Sequence, residues 1–458
     1  MNRNCNMLDR ISSPENLREW VEDYDLAGKL SETNKLVIFD REDACMPSAT
    51  FTYAGQVVAF RKLGKIAFAK ILSTFGAIQV ILSVNALGDE KYRSLVNSDI
   101  KLGTHVEIHG LPAITSTKEP SLYAEQVTIL QQSRSPFPDK WNGVSDEEKY
   151  RLRYQECLVK SDVHSLMIKR SKFIKTIRKF LDNNDFLEVE TPILHKVSAG
   201  AQARPFVTEC NALEHKDFYL RIAPETYLKR MTAAGYHRVY EIGKQFRNEG
   251  IDSSHMPEFT SLEYYCAYSN ANDQIGMFVD LVQYILRDFY NDELEAFCES
   301  PTIYEYEDLY NKYVPNNLLL ADTPENQIDA NFKKYVRPNL DKPVIVTKYP
   351  AFLAPLAKRD PKNPKFVEMW QFIWKTYEVV KCYSELVDPV EQRKLLEEQA
   401  TARENGDNEA MMIDENFLQT MEFGMPEQAG LGLGIDRLFA LFMNISDIRD
   451  VTFFPPGT

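Results

Sequence analysis

The 458-residue chain is poor in the features that mark an oxidising compartment, a membrane or a surface that binds nucleic acid through bulk charge. Its seven cysteines, at 5, 45, 157, 210, 266, 298 and 382, are odd in number, scattered, and contain no C-x-x-C pair. That argues against a disulfide framework and a structural zinc site, and fits a reducing compartment. No stretch reaches the ~18 apolar residues of a membrane span. The opening MNRNCNMLDR carries no apolar run of signal-peptide length, so the chain reads as cytoplasmic, without a membrane partner. Positive charge is in deficit, with 53 Lys and Arg against 67 Asp and Glu for a net −14. This argues against non-specific coating of nucleic acid and leaves room for a local basic patch that binds RNA selectively. There is no internal repeat, no low-complexity tract, no G-x-G-x-x-G fingerprint and no Walker loop. His105 and His109 are four apart, but VEIHG alternates like a strand, so they read as two strand histidines rather than a helical metal pair.

What is present is the composition of a soluble globular protein, 44% apolar and 26% charged, in a chain long enough for two or three domains. Residues 1–48 form a short polar N-terminal segment with one helical pattern near ENLREWVEDY. Residues 49–135 carry five alternating runs, FTYAGQVVAF, IAFAKILS, AIQVILSV, THVEIHG and SLYAEQVTIL, which predict a small barrel or sandwich, with an OB-fold as the five-stranded candidate. A turn-rich linker spans 136–150. From 151 to 458 strands and helices alternate, predicting an α+β or α/β domain. It opens on a helix over 162–184, whose apolar face includes Leu166, Phe173, Ile177 and Phe180. Lys169, Lys172, Lys175 and Lys179 form its solvated face. The following FLEVETPIL reads as a strand, and Pro192 near its end predicts a sheet edge or a break.

Residues 240–265, YEIGKQFRNEGIDSSHMPEFTSLEYY, read as two strands joined by a long loop. A regular second strand places Phe259, Ser261, Glu263 and Tyr265 on one face. Acids and hydroxyls beside an aromatic ring make a poor core but a suitable wall for a cationic substrate next to a stacked base. Arg247 ends the first strand, where its planar fork can hold a phosphate. His255 and Glu249 can reach the other end of a polyphosphate or its metal. Taken alone, these 26 residues fit a surface hairpin with salt bridges equally well. AGLGLGIDRLFALFMN adds glycines at 430, 432 and 434 before an apolar helix bearing Arg437. The spacing suits close backbone approach to an anionic ligand, or a tight packing turn.

FLEVETP, the FRNEG to EFTSLEYY hairpin and GLGLGIDR resemble motifs 1, 2 and 3 of class II aminoacyl-tRNA synthetases, in order, and the class I signatures HIGH and KMSKS are absent. GAQARPF, YLRIAPETYLKR, YEIGKQFRNEGI, TKYPAFLAPLAKR, YSELVDP and GDNEAM are similar to the lysyl-tRNA synthetases, from about residue 50 onward. The resemblance implies an N-terminal OB-fold that binds the anticodon and an antiparallel sheet, flanked by helices, that carries the active site. It implies a ligase that makes lysyl-adenylate from L-lysine and ATP with Mg²⁺ and passes the lysyl group to tRNA(Lys), as a homodimer through the motif 1 region.

Residue by residue, the resemblance implies that Arg247 holds the α-phosphate and the lysine carboxylate. Phe259 stacks on adenine, His255 and Arg437 face the outer phosphates, and Glu249 also lies in the ATP site. It gives Glu225, Glu263, Tyr265, Tyr383 and Glu385 to lysine, Glu378 to ATP and the metal, and Arg61, Phe68 and Gln79 to the anticodon. The chain departs from the family pattern in places. Gln371 replaces a usual second metal-binding glutamate, Lys381 and Cys382 replace Asn-Gly, Tyr383 replaces a phenylalanine, and Ala199 replaces a glycine. These departures keep a second reading open at this stage: a paralogue that binds tRNA or a regulatory partner with weakened catalysis, or that adenylates a modified lysine.

Overall fold

The computed structural model describes residues 37–38 and 51–456, apart from 75, 139–143, 146–147, 212–215 and 322. The helical pattern near residues 15–24 lies outside the described residues, as do most of the 1–48 segment and part of the 136–150 linker. The chain divides into two compact units, residues 1–168 and 169–458.

In the first unit the five expected strands all form. They are β1 (Phe51–Leu63), β2 (Ile66–Ser73), β3 (Gly76–Ser83), β4 (His105–Ile114) and β5 (Pro120–Gln131). The order is β4-β1-β2-β3-β5, and a further β4–β5 pairing closes the ring, giving an OB-like barrel. Only β3 and β5 pair in parallel, and a two-residue strand at Val37–Ile38 adds to β4. Alternation explains the core: Ala67, Ala69 and Ile71 of β2 turn inward to meet Val57, Val80, Leu82, Val106 and Ile108. Short helical turns between β3 and β4 bring Leu87, Tyr92, Leu95 and Val96 into the same core. His109 bonds Thr52 at 2.8 Å and Glu107 at 3.0 Å, as a strand histidine would.

The division between the units falls within helix α1 (Ser161–Asn183), which matches the helix expected over 162–184. The second unit is built on an eight-stranded sheet. Its strands are β6 (Leu187–Glu188), β7 (Arg238–Phe246), β8 (Glu258–Ala267), β9 (Ile303–Glu305), β10 (Val344–Thr347), β11 (Met369–Trp374), β12 (Tyr377–Ser384) and β13 (Gln428–Gly434). They lie in the order β9-β10-β11-β12-β13-β8-β7-β6, antiparallel except at the two edges. On one face, Leu262, Tyr264, Phe372, Leu431 and Leu433 are buried, and Phe173 of α1 meets Phe289, Phe439 and Phe442 ring to ring. The other face carries the candidate site.

FLEVETPIL is not one strand. Its β6 portion pairs with the sheet edge, Val189 makes a last backbone bond to Tyr240 at 2.9 Å, and Leu194–His195 joins a separate three-stranded sheet. Pro192 has no N–H to give a ladder, so the chain changes sheets around it.

Candidate active site

The site is laid out by strand register. Gln371 of β11 lies opposite Lys381 of β12, Lys381 opposite Gly432 of β13, Gly432 opposite Glu263 of β8, and Glu263 opposite Glu241 of β7. The next row runs Met369, Tyr383, Gly430, Tyr265, Val239. Directly opposed residues in antiparallel strands share a face. The glycines of β13 therefore make a bare strip between charged and aromatic neighbours. At Gly430 a methyl group would collide with the Tyr265 ring and the Glu385 carboxylate, whereas at Gly432 it would meet nothing nearer than Glu263 Cγ at 3.8 Å. Packing forces the first glycine, and the second leaves open space above the sheet.

That face opens into a cavity of about 470 Å³. Glu225, Arg247, Glu249, His255, Phe259, Glu263, Tyr265, Gln371, Glu378, Tyr383 and Arg437 all line it, so residues spread over 213 positions of sequence (437 less 225, plus one) meet in one place. Glu385 is the exception. It is 1% exposed and lies behind the wall, under Gly430, with Oε1 free of any hydrogen-bond partner. Cys382 is also outside the cavity, since it sits on the opposite face of β12 beside Leu431 and Trp370. Of the departures on β11 and β12, Gln371, Lys381 and Tyr383 face the ligand space.

One end of the cavity is acidic. Glu225 begins helix α2 (Glu225–Ala233), where it accepts hydrogen bonds from Tyr383 Oη at 2.7 Å and Lys229 Nζ at 2.6 Å. Lys229 also contacts the Glu385 carboxylate, so a fully buried ammonium bridges two acids. Burial pulls against its charge, but Glu225 and Glu385 outweigh that and hold Lys229 above the usual lysine value. Lys229 escaped the sequence reading. Its only signal was the i, i+4 spacing to Glu225 within ETYLK.

Glu263, half-buried and 3.4 Å from Tyr265 Oη, has its acid pushed up to about 8 by burial and by Glu225, against the pull of Arg247 and Arg221. A folded-state value raised above that of an unfolded glutamate gives stability that is present in acid and lost as pH rises toward 8. The ligand-free protein is therefore expected to lose melting temperature between pH 5 and pH 8.5. Glu263→Gln should flatten part of that slope in a pH series of thermal melts, and an unchanged slope would remove Glu263 as its source.

The other end is cationic. The Arg247 guanidinium lies over the Phe259 ring at 5.2 Å, and its buried Nε has no partner. The hairpin that carries it is tied by Arg247 N–H to the Pro257 carbonyl at 2.9 Å. Arg437, in the first turn of helix α3 (Ile435–Phe442), donates to the Ser254 and Glu378 carbonyls at 3.2 and 3.0 Å. Asp436 accepts the Thr260 N–H at 2.8 Å and contacts Arg170, locking α3 onto β8. Glu378 takes a 2.7 Å hydrogen bond from Arg337, a residue that no motif marked. Gln371 accepts from Tyr349 Oη at 2.8 Å. His255, at the exposed mouth, pairs with Asp252 at 3.0 Å. Glu249 is exposed as well.

In the barrel, Arg61 lies opposite Phe68, and Lys70, two residues along β2, lies opposite Gln79. Arg61, Phe68 and Gln79 thus share the outer face of three adjacent strands. Gln79 donates to Ser121 Oγ at 2.9 Å.

A family model described as tRNA synthetases class II (D, K and N) matches residues 145–458. The chain is 36% identical to a lysine–tRNA ligase of Aliarcobacter butzleri over 91% of its own length and 88% of the relative's. It is 36% identical to one of Thermotoga maritima over 96% and 89%. It is 38% identical to one of Clostridium tetani over 88% and 86%.

Proposed function

Because the chain belongs to the class II tRNA synthetases, among the lysine–tRNA ligases, we propose that this cavity joins L-lysine to ATP and that the protein transfers the lysyl group to the 3′ end of a lysine tRNA. The observation that carries the reading is the polarity of one cavity. Glu225, Glu263 and two tyrosines stand at one end, with Glu385 behind them, and Arg247, Arg337 and Arg437 stand at the other.

A lysine carboxylate attacking an α-phosphate brings like charges together, so the step calls for fixed cations and no protein nucleophile. Arg247 holds the α-phosphate and the lysine carboxylate, which its partnerless Nε and its freedom from any ion pair with an acid among the described residues support. Phe259 stacks on adenine, Arg437 and His255 face the outer phosphates, and Glu249 also lies in the ATP site. The substrate ammonium groups meet Glu225, Glu263, Tyr265, Tyr383 and Glu385. An uncharged analogue would leave the buried Oε1 of Glu385 without a partner, and that discriminates in favour of lysine.

Mg²⁺ bound with ATP would screen the phosphates and polarise them. Glu378, on the cavity wall, can add one carboxylate oxygen to such a nucleotide-borne ion, which suits the way Mg²⁺ is bound beside phosphates. The residues do not fit a second ion held by the protein, because Gln371 is neutral and its Oε1 is engaged by Tyr349.

The barrel face with Arg61, Phe68 and Gln79 offers a base-stacking ring, a cation and an amide to the anticodon. Exposed apolar side chains in the motif 1 region, Leu187, Ile193, Leu194 and Val207, support a homodimer through that region. The reduced-thiol reading supports a cytoplasmic location. No helix among the described residues is long and apolar enough to cross a membrane.

Purified protein with Mg²⁺ is expected to exchange pyrophosphate into ATP when L-lysine is present and to charge total tRNA with lysine. No exchange with lysine or any other standard amino acid would refute the reading. Stacking on an aromatic side chain is worth ~1–3 kcal/mol. Phe68→Ala should therefore lower kcat/KM for tRNA roughly 5- to 150-fold and leave pyrophosphate exchange unchanged.

A further inference from the structure

We propose that Lys381 is a catalytic cation. In the lysine-and-ATP reading on which this rests, its ammonium contacts the lysine carboxylate as that carboxylate joins the α-phosphate. It supplies positive charge at a place where the surrounding side chains offer no seat for a second metal.

Position is the first ground. Lys381 and Glu263 are the two ionisable residues that flank bare Gly432, one strand away on either side. Two strand spacings put their backbones roughly 10 Å apart. An amino acid lying over the glycine strip would turn its ammonium toward Glu263, favouring the ionised carboxylate there, and its carboxylate toward Lys381.

The second ground is that the protein leaves this ammonium unanswered. Lys381 is half-buried, its one recorded contact is the Tyr383 ring at 5.6 Å, and among the described residues it makes no ion pair. Three polar groups of the cavity are otherwise engaged. Gln371, directly opposite, is neutral and bonded to Tyr349, Glu378 is paired with Arg337, and Glu225 is held by Lys229 and Tyr383. An anion brought by the ligand would give this ammonium the partner that the protein does not supply.

The third ground is the donor set. Among the described residues no three His, Cys, Asp or Glu side chains gather as a metal group, and a second divalent ion near Gln371 would face Lys381, Arg337 and Arg437 across the same cavity. In the reaction, a carboxylate oxygen of lysine forms a bond to the α-phosphorus. The bond from that phosphorus to its bridging oxygen breaks, and pyrophosphate leaves with the electron pair. Lys381 exchanges no atom in this step and acts by charge alone.

Lysine-dependent pyrophosphate exchange in wild type, Lys381→Met and Lys381→Arg tests this, with thermal melts to confirm folding. Lys381→Met should lose at least 30-fold in kcat/KM for lysine while KM for ATP changes less than threefold, and Lys381→Arg should recover at least tenfold of that loss. Binding gives a second readout. With Mn²⁺, L-lysine and a non-hydrolysable ATP analogue, electron paramagnetic resonance should count one Mn²⁺ per site in wild type. The double variant Gln371→Glu, Lys381→Gln should bind more than one. A Lys381→Met enzyme within threefold of wild type, or a second Mn²⁺ in wild type, would overturn the proposal alone. Absence of lysine-dependent exchange in wild type would overturn the underlying reading as well.

Discussion

Glu385→Gln is expected to lower kcat/KM for lysine about 100- to 1,000-fold while leaving KM for ATP within threefold. The carboxylate is fully buried, touches the Lys229 ammonium and leaves Oε1 without a partner beneath Gly430. Burial, with Glu225 and Glu263 nearby, pushes the Glu385 acid well above the usual carboxylate range against the pull of Lys229, and the negative charge it develops beside a ligand is what an incoming ammonium can use. Glutamine removes it. Breaking one side of a buried charge pair typically costs ~3–5 kcal/mol, which sets the expected size of the effect. Exchange assays with lysine and ATP varied in turn read the two constants separately. Matching losses for both substrates would show that Glu385 supports the fold of the site rather than the lysine pocket. Glu225 would remain with Lys229, so thermal melts of the variant should also report how much folding stability the bridged arrangement provides.

Arg247→Ala is expected to reduce adenylate formation about 1,000-fold. One donor aimed at developing charge is worth ~10²–10³ in rate, and a guanidinium can aim two. The local geometry favours this use. The guanidinium rests on Phe259, and its Nε is kept from solvent without a partner. Arg247→Lys should recover little, because a lysine retains the charge but lacks the planar fork. Single-turnover formation of lysyl-adenylate measures the step directly. Activity within tenfold of wild type would place the reacting phosphate elsewhere.

Much of the architecture was open to reading because its signals are local. Alternation in FTYAGQVVAF or RVYEIGKQF is a property of neighbouring residues, and each of these runs became the expected strand. The apolar spacing of α1 was equally self-contained. The active-site list was open for another reason, since its residues sit in three short motifs that resemble a known family. Where the reading fell short, the cause was long range. FLEVETPIL looked continuous, yet the chain changes sheets around Pro192, and which sheet receives each half depends on partners far along the chain. Cys382 seemed to belong with Lys381, but adjacent strand residues point to opposite faces, and register sends Cys382 away from the cavity. Arg337 lies in no motif and is recruited only because the short helical turn Arg337–Asn339 brings it to Glu378 of β12.

The amino-acid sequence by itself determined the periodicities of the barrel and the large domain, and placed Arg247, Phe259, Glu263 and Tyr265 on one hairpin. Only the tertiary structure decided that Lys229 bridges Glu225 and Glu385, that Gln371 faces Lys381, and that Lys381 and Glu263 stand on either side of a bare glycine. Those relations are pairings between strands and helices up to 160 positions apart (385 less 225). Electrostatic energy depends on distance in space, so the charge balance of this cavity is set by register and packing rather than by any single stretch of chain.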